Sequence, residues 1–103
     1  MIPVEYELIL SAALFCVGLY GVMIRKNAIV VLMSIEILLN AAILNFVAFS
    51  SYTPPAGDAA GQVFALLAIA IAAGEAAIGL AIFLALYETH GTTELDKIRL
   101  LRW

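Results

Sequence analysis

Basic side chains are scarce in this sequence and absent from most of it. Lys and Arg together number five in 103 residues, and a run of 61 residues from Asn27 to Tyr87 contains none. Charged residues make up 13% of the chain and hydrophobic ones 65%, against about a quarter and about half in an ordinary soluble domain. So little polar surface cannot cover a small soluble core. The apolar excess excludes a disordered chain, and no nucleic-acid partner is expected. One cysteine, Cys16, excludes an intramolecular disulfide, and it reads as a small apolar packing residue. One histidine, His90, makes no metal site and reads as a solvated interfacial residue. Paired-cysteine spacings, glycine-rich phosphate loops and nucleophile elbows are missing too. The chain is therefore not expected to hold an iron–sulfur cluster, flavin or haem by itself.

What remains is three long apolar runs, about 8–24, 28–49 and 63–87. Each is within the roughly 17–25 residues that a spanning helix needs. The sequence thus predicts an all-α integral membrane protein with three transmembrane helices, a single membrane domain over residues 1–103 and a polar tail at 88–103. The triplet Arg25-Lys26-Asn27 is a tight connection, so the first two helices should be an antiparallel pair. The second break, Ser50 to Ala60, contains Pro54-Pro55 and Gly57-Asp58, which is turn chemistry.

Three spans put the first loop and the tail on one side of the membrane. All five bases, Arg25, Lys26, Lys97, Arg99 and Arg102, lie in those two segments. The positive-inside rule places them in the cytoplasm, with the N-terminus outside and the C-terminus cytoplasmic. The outer side receives only acids, Glu5, Glu7 and Asp58. A cleaved signal peptide would need a basic start, whereas Glu5 and Glu7 precede the first run and Arg25-Lys26 follow it. The first segment is expected to be a retained span.

Two carboxyl groups lie at the wrong depth for this composition. Glu75 is the midpoint of the third run, and Glu36 lies about 4 Å from the middle of the second. Both are too deep for a short side chain to reach water, and an acid there costs about 3 kcal/mol on insertion scales. No Lys or Arg occurs in either run to pair with them. Hydrocarbon favours the neutral form of a carboxyl group. A carboxyl that exchanges protons inside a membrane is a natural relay station. The alternative is a permanently protonated group bonded to a neighbouring helix as polar glue. Two such groups at similar depth suit transfer along the membrane plane.

Asn40, four residues after Glu36, shares its face and could bond the carboxyl or hold a water. Asn45 and Ser34 are displaced from that face. The third run is rich in small residues, with Ala73, Ala77, Ala81 and Ala85 recurring every four, as do Ala68, Ala72 and Ala76. Small residues at this spacing let helix backbones approach closely in lipid. Three helices have few surfaces with which to hide two carboxyl groups, so a subunit of a larger membrane assembly is expected.

These segments carry a family resemblance. Arg25-Lys26-Asn27-Ala28, followed by Met33-Ser34-Ile35-Glu36-Ile37-Leu38-Leu39-Asn40-Ala41, resembles the second-helix signature of subunit K of NADH–quinone oxidoreductase. This is respiratory complex I, whose mitochondrial counterpart is chain 4L and which has a corresponding chain in chloroplasts. Gly61-Gln62-Val63-Phe64 with Ala72-Ala73-Gly74-Glu75-Ala76-Ala77-Ile78-Gly79-Leu80-Ala81 resembles the third-helix signature. Met1-Ile2-Pro3 and Leu14-Phe15-Cys16-Val17-Gly18-Leu19-Tyr20-Gly21 are also similar, so the likeness covers residues 1 to about 87.

The resemblance implies a three-helix subunit of the membrane arm, placed between the quinone-binding end and the antiporter-like subunits. It implies that Glu36 and Glu75 belong to the chain of polar groups linking quinone reduction to proton translocation. The family's basic cytoplasmic loop falls on Arg25 and Lys26. Gly74 departs from the pattern, since the family more often has Ala there. Quinone, iron–sulfur clusters and, as a further candidate, flavin would sit elsewhere in the complex. The ending Leu100-Leu101-Arg102-Trp103 resembles the ferredoxin-driven photosynthetic branch, and a reduced-deazaflavin donor is also compatible. The donor binds far from this subunit, so the sequence does not choose it. The expected location is a prokaryotic cell membrane or a thylakoid membrane. A small C-type subunit of a multisubunit sodium–proton antiporter shares the helix pattern and is the alternative, as is a purely structural membrane subunit.

Overall fold

The computed structural model describes residues 2–52, 59–92 and 94–97, the side chain of Lys97 excepted. Among these, three helices carry the fold: α1 (Val4–Ile24), α2 (Ala28–Tyr52) and α3 (Ala60–His90), followed by a short 3-10 turn at Leu95–Lys97. All three are long and apolar enough to cross a membrane. The expected loop residues Pro54-Pro55 and Gly57-Asp58 lie outside the described residues, as do Arg99, Arg102 and the Leu100–Trp103 ending.

The helices outrun the apolar stretches that announce them. α1 starts at Val4 rather than near Leu8, with Glu5 and Glu7 in its first turn, where the helix dipole favours acids. α2 continues through Ser50 and Ser51 to Tyr52, and α3 gains three residues at each end. At about 1.5 Å per residue, the 31 residues of α3 measure about 46 Å. The hydrocarbon core is about 30 Å thick, so the helix ends stand beyond it.

Local chemistry sets the boundaries. The side-chain oxygen of Asn27 accepts hydrogen bonds from the backbone N–H groups of Ile29 (2.9 Å) and Val30 (3.3 Å). It thus caps the first turn of α2, which lets Arg25-Lys26-Asn27 reverse the chain so tightly. α3 stops at Gly91, whose φ of 69° is the left-handed conformation glycine adopts without strain, and whose N–H donates to the carbonyl of Tyr87 at 2.7 Å.

α2 is the central helix, and α1 and α3 both pack on it. Ser34 and Ala41 meet α1, whereas Leu32 and Ser50 meet α3. At 3.6 residues per turn these two pairs occupy opposite sides of α2. The α1 seam is held by the Ser11 hydroxyl, which donates to the carbonyl of Ala41 at 2.8 Å. It is brought close by Gly18 and Gly21, which lie against Ser34 and Leu38. The α3 seam sets Gly79 against Leu32 and Gly61 against Ser50 and Phe46. A tilted ring pair, Phe46 with Phe64 at 6.5 Å between centroids, closes its end. Among the described residues, the buried apolar ones are all alanines, Ala28, Ala41, Ala48, Ala65 and Ala72. Packing therefore rests on close backbone approach and not on large side chains, as is usual between helices in lipid.

The four-residue alanine repeats of α3 divide accordingly. Ala68, Ala72 and Ala76 face α2, while Ala73, Ala77, Ala81 and Ala85 are exposed. Cys16, expected to be a packing residue, is likewise exposed. Gly74 lies in open space, with nothing within 4 Å of an added Cβ. Gly74→Ala is therefore expected to leave assembly intact and to strengthen α3 by about 0.5–1 kcal/mol. A lower thermal midpoint of the purified protein would contradict this.

Candidate functional site

The two seams fix where the intramembrane carboxyls stand. Each step forward along α2 is matched by a step back along α3, with Leu32 on Gly79 at one end and Ser50 on Gly61 at the other. Four residues beyond Leu32 is Glu36, and four before Gly79 is Glu75. The antiparallel register thus brings both carboxyl-bearing residues to one level of neighbouring helices. Glu75 is also the central residue of α3.

Their surroundings differ. Glu36 is half-buried and shares the α3-facing side of α2 with Leu32 and Leu39. Glu75 is exposed, just beside the Ala72–Ala76–Gly79 stripe that packs on α2. Among the described residues neither carboxyl has a hydrogen-bond or ion-pair partner, and no cluster of three or more His, Cys, Asp or Glu could hold a metal. Asn40 is exposed on the Glu36 side of α2, one turn further along.

Asn45 belongs to the other seam. It lines a groove of about 420 Å³ between α1 and α2 together with Ser11, Cys16 and Leu38. Its Oδ1 is buried without a hydrogen-bond partner among the described residues. Ser34 also faces α1, where its hydroxyl donates to the carbonyl of Val30 at 2.9 Å. Both residues are thus separated from the carboxyl layer, as the helical spacing predicts.

Arg25 and Lys26 lie at the end of the molecule that also receives the tail, so the first loop and the chain after α3 share one side. Lys26 pairs with Asp96 at 3.5 Å, both side chains being largely exposed. An exposed ion pair contributes about 0–1 kcal/mol and is screened by salt. Lys26→Ala is accordingly expected to shift the thermal midpoint only slightly, and less in high salt than in low. A loss of assembly in this variant would show that the lysine does more. The backbone contacts beside this ion pair, between residues 26–27 and 94–95, have no signature in composition or periodicity. Sequence reasoning missed them.

Three helices long and apolar enough to span a membrane, packed through close small-residue seams, define a multi-pass membrane protein. Residues 6–103 match the family described as NADH-ubiquinone/plastoquinone oxidoreductase chain 4L. The chain is 53% identical to NAD(P)H-quinone oxidoreductase subunit 4L of Synechocystis sp., over 99% of its own length and 98% of the relative's. It is 50% identical to NADH-quinone oxidoreductase subunit K of Myxococcus xanthus, over 99% of each chain. Subunit 4L of a Synechococcus strain is 48% identical over the full length of both. The chain belongs to the chain 4L, or subunit K, family of NADH–quinone oxidoreductases, and is a multi-pass protein of the cell or thylakoid membrane.

Proposed function

We propose that this chain is a membrane-arm subunit of a proton-translocating, complex-I-like quinone oxidoreductase, in which Glu36 and Glu75 relay protons. The observation that carries this reading is the level placement of two carboxyl residues across the α2–α3 seam, without a partner inside the chain. Packed helix axes lie about 8–10 Å apart. Two carboxyls on such helices can exchange a proton through one or two waters or a side-chain swing. The layer runs along the membrane plane, so it suits transfer between neighbouring subunits and not across the bilayer. Asn40 supports it as a hydrogen-bonding group beside Glu36.

The subunit's part is non-redox. Quinone, iron–sulfur clusters and any flavin belong to other subunits, and the donor can be NADH, ferredoxin or a reduced deazaflavin. Glu75, exposed on this chain, requires a neighbouring helix to keep it from lipid. Antiporter-like and quinone-site subunits are the partners proposed for that place. The bases of the first loop and tail put that end in the cytoplasm and the N-terminus outside. Full-length similarity to quinone oxidoreductase subunits favours this reading over the antiporter one.

Isolation in mild detergent tests the assignment. Antiporter-like large subunits and an iron–sulfur arm should co-purify, and proton movement should depend on quinone. Sodium–proton exchange indifferent to quinone would overturn it. Glu36→Gln and Glu75→Gln test the relay itself in the assembled complex.

A further inference from the structure

The end of α3 is fastened to the turn between α1 and α2 by a backbone clasp. Gly91 ends the helix in the left-handed conformation, and the Thr92 hydroxyl accepts from the N–H of Glu94 at 3.0 Å, turning the chain back. Glu94 then forms an antiparallel bridge with Asn27, and the N–H of Leu95 donates to the carbonyl of Lys26 at 2.8 Å. Asp96 adds the ion pair with Lys26. The clasp thus joins the two ends of the fold on the side away from the 52–60 connection.

We propose that residues 94–96 are a positioning element for Glu75, holding α3 lengthwise against α2 so that Glu75 stays level with Glu36. The relay assignment of the two carboxyls underlies the functional part of this proposal. The seam fixes which side of α3 meets α2, because a Cβ in place of Gly61 would meet Ser50 and Phe46, but it interlocks little along the helix axis. Gly61, Ala65, Ala72 and Gly79 present almost no side chain to α2, and smooth glycine–alanine faces interlock less than large ridges do. A lengthwise slide by one residue's rise, about 1.5 Å, would carry Glu75 off the level of Glu36. Three turns beyond Gly79 the clasp supplies a lengthwise stop, tied to the backbone at the start of α2, the helix that carries Glu36. The ion pair, being exposed, is the lesser part of it.

Leu95→Pro removes the donated N–H while fitting the first position of the 3-10 turn, where proline's fixed φ is tolerated. Leu95→Ala keeps that N–H and is the control. In the intact complex, Leu95→Pro should lower the protons moved per quinone reduced at least threefold, and Leu95→Ala should match the wild type. Lys26→Cys with Asp96→Cys, joined by a short bis-maleimide, should restore the ratio in Leu95→Pro. In an otherwise unaltered complex the same two cysteines should cross-link almost completely, as read by mass spectrometry. Failure to cross-link there overturns the clasp, whether or not Leu95→Pro assembles. A wild-type ratio in Leu95→Pro, or no restoration on cross-linking, overturns the positioning role. Failure of the relay assignment reads out separately, because Glu75→Gln would then pump normally while the cross-link yield still judges the clasp.

Discussion

Glu75→Gln is expected to suppress quinone-coupled proton translocation roughly tenfold or more while the complex still assembles, the scale of loss when a positioned acid–base group is removed. Gln keeps the volume and most of the hydrogen bonding of a neutral carboxyl but cannot take up or release a proton. Any role as interhelical glue therefore survives the change, and a role as relay does not. Glu36→Gln should behave alike, because the α2–α3 register makes the two residues one layer. The double variant should be little worse than either single one, since interrupting one route twice adds little. Proton uptake by reconstituted vesicles during quinone reduction measures this. Normal pumping in both single variants would falsify the relay, and lost assembly would favour glue.

The second large effect concerns the seams. Gly18→Leu and Gly61→Leu should each sharply reduce the amount of folded subunit in the membrane. A Cβ at Gly18 would lie 2.8 Å from the carbonyl oxygen of Ser34, and one at Gly61 would lie 2.5 Å from the Cβ of Ser50 and 2.8 Å from the carbonyl of Phe46. Two of these obstacles are backbone carbonyl oxygens and the third is a Cβ fixed to its own backbone, so none can swing aside as the far end of a side chain can. Overpacking of this kind costs about 1–3 kcal/mol and sometimes more. One or two kcal/mol already changes a folding equilibrium by a factor of about 5–30. Subunit level in isolated membranes and the melting of the purified complex are the readouts, and wild-type values for both variants would refute the close-approach account.

Much of this was legible in the sequence because hydrocarbon is an exacting solvent. A 61-residue stretch without a base marks the second and third spans, and a carboxyl at the middle of one stands out against that background. Helical spacing alone separates Asn45 and Ser34 from Glu36, and the structure places both on the α1 side. Other features were hidden for physical reasons. Apolar runs locate the hydrocarbon, not the helix, so Val4 to Glu7 and Ser50 to Tyr52 are helical without being apolar. Two alanine repeats on α3 look equivalent as strings, yet only Ala68, Ala72 and Ala76 pack, because which side of a helix meets its neighbour depends on a contact outside that helix. The glycines of α1 gave no reason to single out Gly18 over any other. The clasp is main-chain pairing between distant segments, which any side chains can make.

α2 lies between α1 and α3, and the interior it helps to form is only alanine-wide. Such a subunit is a partition and not a container. On the proposed relay, a route past Glu36 and Glu75 would have this chain as one bank and a neighbouring polypeptide as the other, so the conduit would be jointly owned. Transplanting the subunit into a foreign complex would then test the match between the two banks. Fine-tuning of proton flow would be found as paired changes, one at the exposed flank of α3 and one in whatever covers it.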